Sequence, residues 1–294
     1  MKEKRFARER TYIKEQIKCA LERPGQRTEN HAGMPQRSAF MPRILAGMAE
    51  GFAQLLFPEH LYCMACNDLL GGENDWGLCS RCMNAMFSED ILRRTTIEGQ
   101  GESGVSHAIS CTVYGGLSKE ILSKFKNKNQ PWMAQDLGRL MAQRYREECW
   151  ADEANAAQQG NCMGAGAKKA AQLVTFVPMH ESKRQKRGYD QAQLLAQQTA
   201  KALELPYCQC LQRIRATAPM KNMSQAQRLS NVNGAFAWKP LPKQQFLAGT
   251  RVLLIDDIVT TGSTAKACAE VLRRQGAADV TLLTFAAAAS GMCT

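Results

Sequence analysis

Four apolar residues in a row, Val252, Leu253, Leu254 and Ile255, predict a strand covered on both faces. Thr264, Ala267, Cys268, Val271 and Leu272 then recur at helical spacing. Gly276 closes that pattern, with Arg273 and Arg274 in the last turn, where cations favour the helix dipole. Val280 to Phe285 supplies another strand. The same order occurs upstream: Leu173 to Val177 reads as a buried strand, followed by a basic turn and a helix from Gln191 to Leu203. Earlier still, Ala108 to Tyr114 reads as a short strand, and Leu117 to Phe125 and Ala134 to Cys149 as helices. Strand and helix alternate, so the predicted fold class is α/β, a parallel sheet flanked by helices.

The pattern also divides the chain. Residues 1–43 mix Lys, Arg and Glu without a long apolar face and read as a basic, poorly ordered extension; a start at Met34 or Met41 would remove most of it. Ile44, Leu45, Met48, Phe52, Leu55 and Leu56 recur at helical spacing until Pro58. That face lacks flanking Lys and Arg, so packing on its own domain is favoured over a membrane surface. The expected units are a small N-terminal domain over 44–95, a helix plus a cysteine-rich segment, and the α/β domain over 105–294. An Ala-, Gln- and Gly-rich stretch near 151–171 reads as an exposed insertion.

Composition narrows the class. The chain has 294 residues and a formal net charge of +11, too apolar and too mixed in sign for a disordered tail protein. Ten Lys or Arg against five Glu lie before residue 41, so much of the excess belongs to the extension. No apolar run approaches the roughly 18 residues a membrane span needs, and the N-terminus lacks a secretory pattern, so a cytoplasmic protein without integral membrane association is expected.

The cysteines carry the first chemistry. Cys63 and Cys66 are separated by two residues, as are Cys79 and Cys82, with twelve residues between the pairs. Such knuckles let four thiolates converge on one Zn²⁺, which favours tetrahedral sulfur ligation. A redox pair or a disulfide couple accounts less well for two identical spacings back to back. Four sulfur ligands leave no open position, so the expected role is structural. The other cysteines fit no second metal spacing and read as small buried hydrophobes.

The second chemistry sits where the strongest strand ends. Ile255 is followed by Asp256, Asp257, Ile258 and Val259, then by Thr260, Thr261, Gly262, Ser263 and Thr264, which open the next helix. Backbone N–H groups, hydroxyls and a helix N-terminus can wrap a phosphate there, and Gly262 permits close approach. Two carboxylates are suited to a pair of ribose hydroxyls or a divalent cation. A nucleotidase would also end a strand in acids, but the Gly-x₄-Gly-Lys-Ser/Thr partner motif does not occur. A capped helix is the plainer alternative; a cap does not call for two adjacent aspartates.

These residues resemble the phosphoribosyltransferase signature, and the wider pattern is similar to the ComF family of competence-associated proteins, from about Phe52 to Phe285. The double cysteine knuckle, the Val177-Pro178-Met179-His180 turn leading to Arg187-Gly188-Tyr189-Asp190-Gln191, the Arg213 to Phe236 segment and the acidic loop carry the resemblance. Asp190 stands where the family usually has Asn, and Met220 where it usually has Gln.

The resemblance implies a type I phosphoribosyltransferase-like fold that binds phosphoribosyl pyrophosphate and Mg²⁺. Asp256 and Asp257 are then the catalytic pair on the ribose hydroxyls, and Thr260, Thr261, Gly262, Ser263 and Thr264 hold the 5′-phosphate. Lys183, Arg184, Lys186 and Arg187 are candidates for the pyrophosphate side, Arg as a bidentate donor and Lys as a point charge. His180 reads as a proton-transfer residue or a turn residue, Arg228 and Asn231 as a cover over the site or a helix surface. Tyr114 and Lys124 match family positions. The implied activity is transfer of a phosphoribosyl group to an acceptor the sequence does not identify, in association with competence and DNA uptake. The alternative is a non-catalytic DNA-handling module, with DNA or DNA-uptake proteins as partners, regulated by a phosphoribosyl ligand.

Overall fold

The strands and helices that hydrophobic periods predict follow one another in that order, with β1 (Thr96–Glu98) and three short elements between residues 181 and 238 in addition. A computed structural model describes residues 61–70, 76–87, 96–98, 104–127, 130–158, 170–216, 234–239 and 247–288. The expected helix over Ile44 to Leu56, the 1–43 extension, Met220, Arg228 and Asn231 lie outside them. The strands are β1 (Thr96–Glu98), β2 (His107–Val113), β3 (Leu173–Phe176), β4 (Leu211–Arg213), β5 (Phe236–Trp238), β6 (Arg251–Val259) and β7 (Asp279–Ala287). The helices are α1 (Ser80–Met86), α2 (Gly116–Asn127), α3 (Ala134–Gln158), α4 (Glu181–Arg187), α5 (Gln191–Leu203) and α6 (Ser263–Arg274).

Five strands form one sheet in the order β1-β2-β7-β6-β3. Its pairs are parallel apart from β1, which runs antiparallel to β2. β4 and β5 form a separate antiparallel ribbon. Along β6 the pleat sends successive residues to opposite faces. Leu253 and Ile255 join Phe125, Leu137, Leu195 and Phe285 in one core, beneath α2, α3 and α5. Val252 and Leu254 join Cys268, Leu272 and Leu282 in the other, beneath α6 and the ribbon. All four residues of the run are at most 1% exposed, which is why it contains no alternation.

Several boundaries differ from the sequence reading. β6 does not stop at Ile255: its register with β7 continues, Asp256 opposite Thr284 and Ile258 opposite Ala286, so both aspartates lie within the strand. The basic turn after β3 is the helix α4, ended by Gly188 in the left-handed region. α3 runs on through Gln158, past Ala151, because Ala, Glu and Gln are good helix formers; residues 159–169 lie outside the described set. On α6 the buried face is Ser263, Ala265, Cys268, Ala269, Val271 and Leu272, rotated from the expected stripe through Thr264 and Ala267.

Helices α3 and α5 touch closely at Gly138. A Cβ there would stand 2.5 Å from Gln198 Cβ and 3.0 Å from backbone atoms of Gln198 and Thr199, so only hydrogen fits. The cysteine-bearing segment is welded to the same layer: Cys63, Met64, Leu78, Cys82 and Met86 belong to the core that contains Phe125 and Phe285. Among the described residues no helix is long and apolar enough to cross a membrane.

Candidate functional site

The two cysteine knuckles converge. Sγ atoms of Cys63, Cys66, Cys79 and Cys82 all lie within 4.8 Å of one another, and Cys66 and Cys79 are 3.7 Å apart. Ligands about 2.3 Å from a tetrahedral Zn²⁺ stand on the order of 3.8 Å from each other, so the donor set fits that ion in both chemistry and spacing. The Cys79 amide points at Cys63 Sγ, 3.4 Å away. Burial alone would raise the Cys63 thiol; amides of Cys79, Cys66 and Ala65 outweigh it and bring the group down to about 7. Burial pushes Cys82 the other way. A bound cation would complete the set by neutralising the thiolates.

The carboxyl end of β6 carries Asp256 and Asp257 in different company. Asp256 lies near Arg213 and Cys268, and its Oδ1 accepts the Asp257 amide at 2.8 Å. Burial, reinforced by the Asp257 charge, holds its carboxyl well above the usual range. Asp257 is 9% exposed and pairs with Lys126, which arrives from the last turn of α2.

The hydroxyl loop follows directly. Thr260 is exposed, Thr261 Oγ1 and Ser263 Oγ are 2.9 Å apart, and Gly262 has φ 70° before α6 begins. A Cβ on Gly262 would meet nothing within 4 Å, so the backbone angle, not crowding, calls for glycine. The Gly262 carbonyl accepts the first helical bond, from the Lys266 amide at 2.8 Å. The amides of that first turn have no carbonyl one turn back and face outward as donors. Thr264 is half-buried and Ser263 buried within the same turn.

The basic segment divides. Partial burial lowers the Lys183 ammonium from its ordinary value, and the nearby charges of Arg213 and Arg187 push it the same way. Arg187 also donates to Gln191 Oε1 at 3.1 Å. Arg184 is instead held 3.0 Å from Glu181 on its own helix, and Lys186 is exposed on α4. His180 caps α4, its Nδ1 accepting the Ser182 amide at 3.2 Å, which accounts for it as a turn residue. Tyr114 is 38% exposed at the end of β2. Lys124 lies not at the acids but at the cysteines, donating to the Met64 carbonyl at 2.9 Å.

Three residues complete the surroundings of the acidic pair, and the sequence reading gave none of them a place in the site. Lys126 had no motif around it. Asp190, noted above as a departure from family usage, is 5% exposed; burial raises its carboxyl, and the nearby Asp257 charge adds to that shift. Arg213 comes from the β4–β5 ribbon with its guanidinium 5.2 Å over the Phe236 ring. Burial lowers it from its ordinary value, while Cys268, Asp256 and Asp190 act against that shift. Alternation of Leu211, Gln212 and Arg213 is too short a signal to have found it.

Comparison with known proteins follows the same division. Residues 190–292 match the family described as the phosphoribosyl transferase domain. Over 166 residues the chain is 29% identical to "Competence protein F" of Haemophilus influenzae, covering 54% of this chain and 63% of that protein. Over 108 residues it is 37% identical to "DNA utilization protein YhgH" of Salmonella typhi, covering 36% of this chain and 45% of that protein. These matches thus span from about half to under two thirds of each relative. A solved structure described as the allosteric regulatory enzyme of purine biosynthesis is 22% identical over 54% of this chain and 26% of that one; its TM-score of 0.32 adds nothing to the topology. The sheet order, the converging sulfurs and the sequence matches agree: the chain combines a phosphoribosyltransferase-like domain with a four-cysteine cluster consistent with a zinc ribbon, and it is similar to competence and DNA utilization proteins.

Proposed function

We propose that this protein binds phosphoribosyl pyrophosphate with Mg²⁺ and transfers the phosphoribosyl group to a nitrogen nucleophile in the reducing cytoplasm. One observation carries the reading: two acids on a buried strand run directly into a Gly262 loop and helix N-terminus, with Lys183, Arg187 and Arg213 clustered nearby. Ligands of open α/β sheets bind beyond the carboxyl ends of the strands, where these groups lie.

The division of labour follows from charge. Displacing pyrophosphate from the anomeric carbon leaves positive character on the sugar and negative charge on the leaving group, so the sugar needs carboxylates and the leaving group needs cations. Asp256 and Asp257 take the ribose hydroxyls; Thr260, Thr261, Gly262, Ser263 and Thr264 hold the 5′-phosphate. Lys183 and Arg187 serve the pyrophosphate, joined by Arg213 and, on rearrangement of their side chains, by Arg184 and Lys186. Mg²⁺ binds chiefly oxygens of the ligand and supplies charge neutralisation, with the acidic pair as the nearest protein carboxylates.

A second reading rests on the names of the relatives, a competence protein and DNA utilization proteins. In it the chain handles DNA and the phosphoribosyl ligand only regulates it. Calorimetry with phosphoribosyl pyrophosphate and Mg²⁺, on wild type and on Asp256→Ala with Asp257→Ala, tests the pocket common to both readings. Equal binding by the double variant rejects the assignment. Pyrophosphate release across candidate bases then distinguishes turnover from binding, and DNA affinity that does not fall with salt counts against the second reading.

A further inference from the structure

Helix α2 touches both centres of the molecule. The Lys124 ammonium donates to the carbonyls of Met64 and Ala65, at 2.9 and 3.0 Å, and to Asn67 Oδ1 at 3.2 Å, so it closes the turn that follows Cys63. Lys126, two residues on, pairs with Asp257, the two side chains 24% and 12% exposed. Positions two apart on a helix point roughly 200° from each other, so one lysine faces the sulfur cluster while the next faces the end of β6. Between them Phe125 is fully buried, its carbonyl accepts the Tyr189 hydroxyl, and its ring lies 6.0 Å from the Tyr189 ring. That packing fixes the rotation of the helix.

We infer that α2 is a strut, with Lys124 and Lys126 as positioning residues through which an ion held by the cysteines sets the place of the ammonium at Asp257. Zinc draws the Cys63 and Cys66 sulfurs together and keeps the Met64 and Ala65 carbonyls in the arrangement that Lys124 bonds. Opening of that turn removes all three acceptors from the last turn of α2, the turn that also carries Lys126. The coupling is reciprocal, since whatever favours the Lys126–Asp257 pair also favours the closed knuckle. Only the consequence for a sugar ligand at Asp257 rests on the function proposed above.

The test reads Lys126 directly. The full chain, zinc-loaded, is acetylated with an amine-reactive ester and each lysine is followed by mass spectrometry, in wild type, Lys124→Met and Lys124→Arg. Lys126 should be modified at least about threefold faster in Lys124→Met, the order set by loss of one partly screened ion pair. Lys124→Arg, which can still donate to the carbonyls, should restore protection, and half-buried Lys266 on α6 should keep its rate throughout. Equal protection of Lys126 in wild type and Lys124→Met overturns the inference, as does acceleration of Lys266 by the same factor. If Lys124→Met does not fold, wild type stripped of zinc and then reloaded reads the same quantity: Lys126 should lose and regain protection, and no change overturns the strut. No phosphoribosyl ligand enters the measurement, so its failure leaves the ligand assignment untouched.

Discussion

The Asp190 carboxylate accepts the Met179 amide at 2.7 Å, and with its other oxygen the Gln193 amide at 3.2 Å, tying the exit of β3 to the start of α5. One side chain thus orients both flanks of the basic segment. Asn at this position, the residue usual in the family, keeps one acceptor oxygen and loses the charge. Asp190→Asn should therefore cost about 1 kcal/mol or less, whereas Asp190→Ala, which leaves both amides without the carboxylate, should cost about 2–3 kcal/mol. Urea denaturation of the two variants checks this, and equal midpoints would refute it.

Asp256 makes stability depend on pH. Its carboxyl sits well above the usual range because it is buried and beside Asp257. The folded state binds that proton more tightly than the unfolded chain, whose value is about 3.9. The resulting stabilisation is complete below the unfolded value and is lost as pH rises through the folded one. Asp256→Asn has no such proton. Its melting temperature should exceed that of wild type at neutral pH, and the gap should close toward pH 4; a gap that widens on acidification contradicts the assignment.

Metal removal should be felt beyond the knuckles. Cys63, Leu78 and Met86 lie in the core that contains Phe125 and Phe285. Structural zinc contributes about 10–16 kcal/mol in isolated fingers, comparable with the whole net stability of a domain. Chelation, or Cys79→Ser, should therefore lower the melting temperature of the main transition. The metal content should fall from one zinc per chain in parallel. An unchanged transition after verified loss of the ion would show the cluster to be energetically separate.

Gly138 is required by space. Alanine would gain helix propensity of about 1 kcal/mol yet place its Cβ against the backbone of Gln198 and Thr199. The clash should win, with a net loss of about 1–3 kcal/mol, because the obstructing atoms are the Cβ of Gln198 and the main chain of α5, which cannot rotate aside. Chemical denaturation decides, and a stabilised variant would mean that the helices part easily.

The local chemistry was legible in the residues in order. Two spacings of cysteine announce a four-sulfur site because ligands two residues apart share one turn, and the structure brings those sulfurs together. Val252 to Ile255 announce a strand buried on both faces because covering both faces removes alternation. The acids and hydroxyls of the next loop are contiguous, so their proximity needed no fold. Gln191 to Leu203 was bounded as observed, since Asp190 caps its start.

Convergence across the chain was not legible. Lys126 meets Asp257 across 131 positions of sequence because β6 lies inside the sheet and α2 packs over its face. Arg213 approaches Asp256 because a ribbon of two three-residue strands, too short to leave a periodic signal, packs over the other face of β6. Sequence by itself set which groups exist and which local turn presents them, since those depend on neighbours a few bonds away. Which cation stands beside which acid, and that the sulfur cluster shares a core with the acidic strand, depended on packing among distant segments, where side-chain volume and sheet order act together.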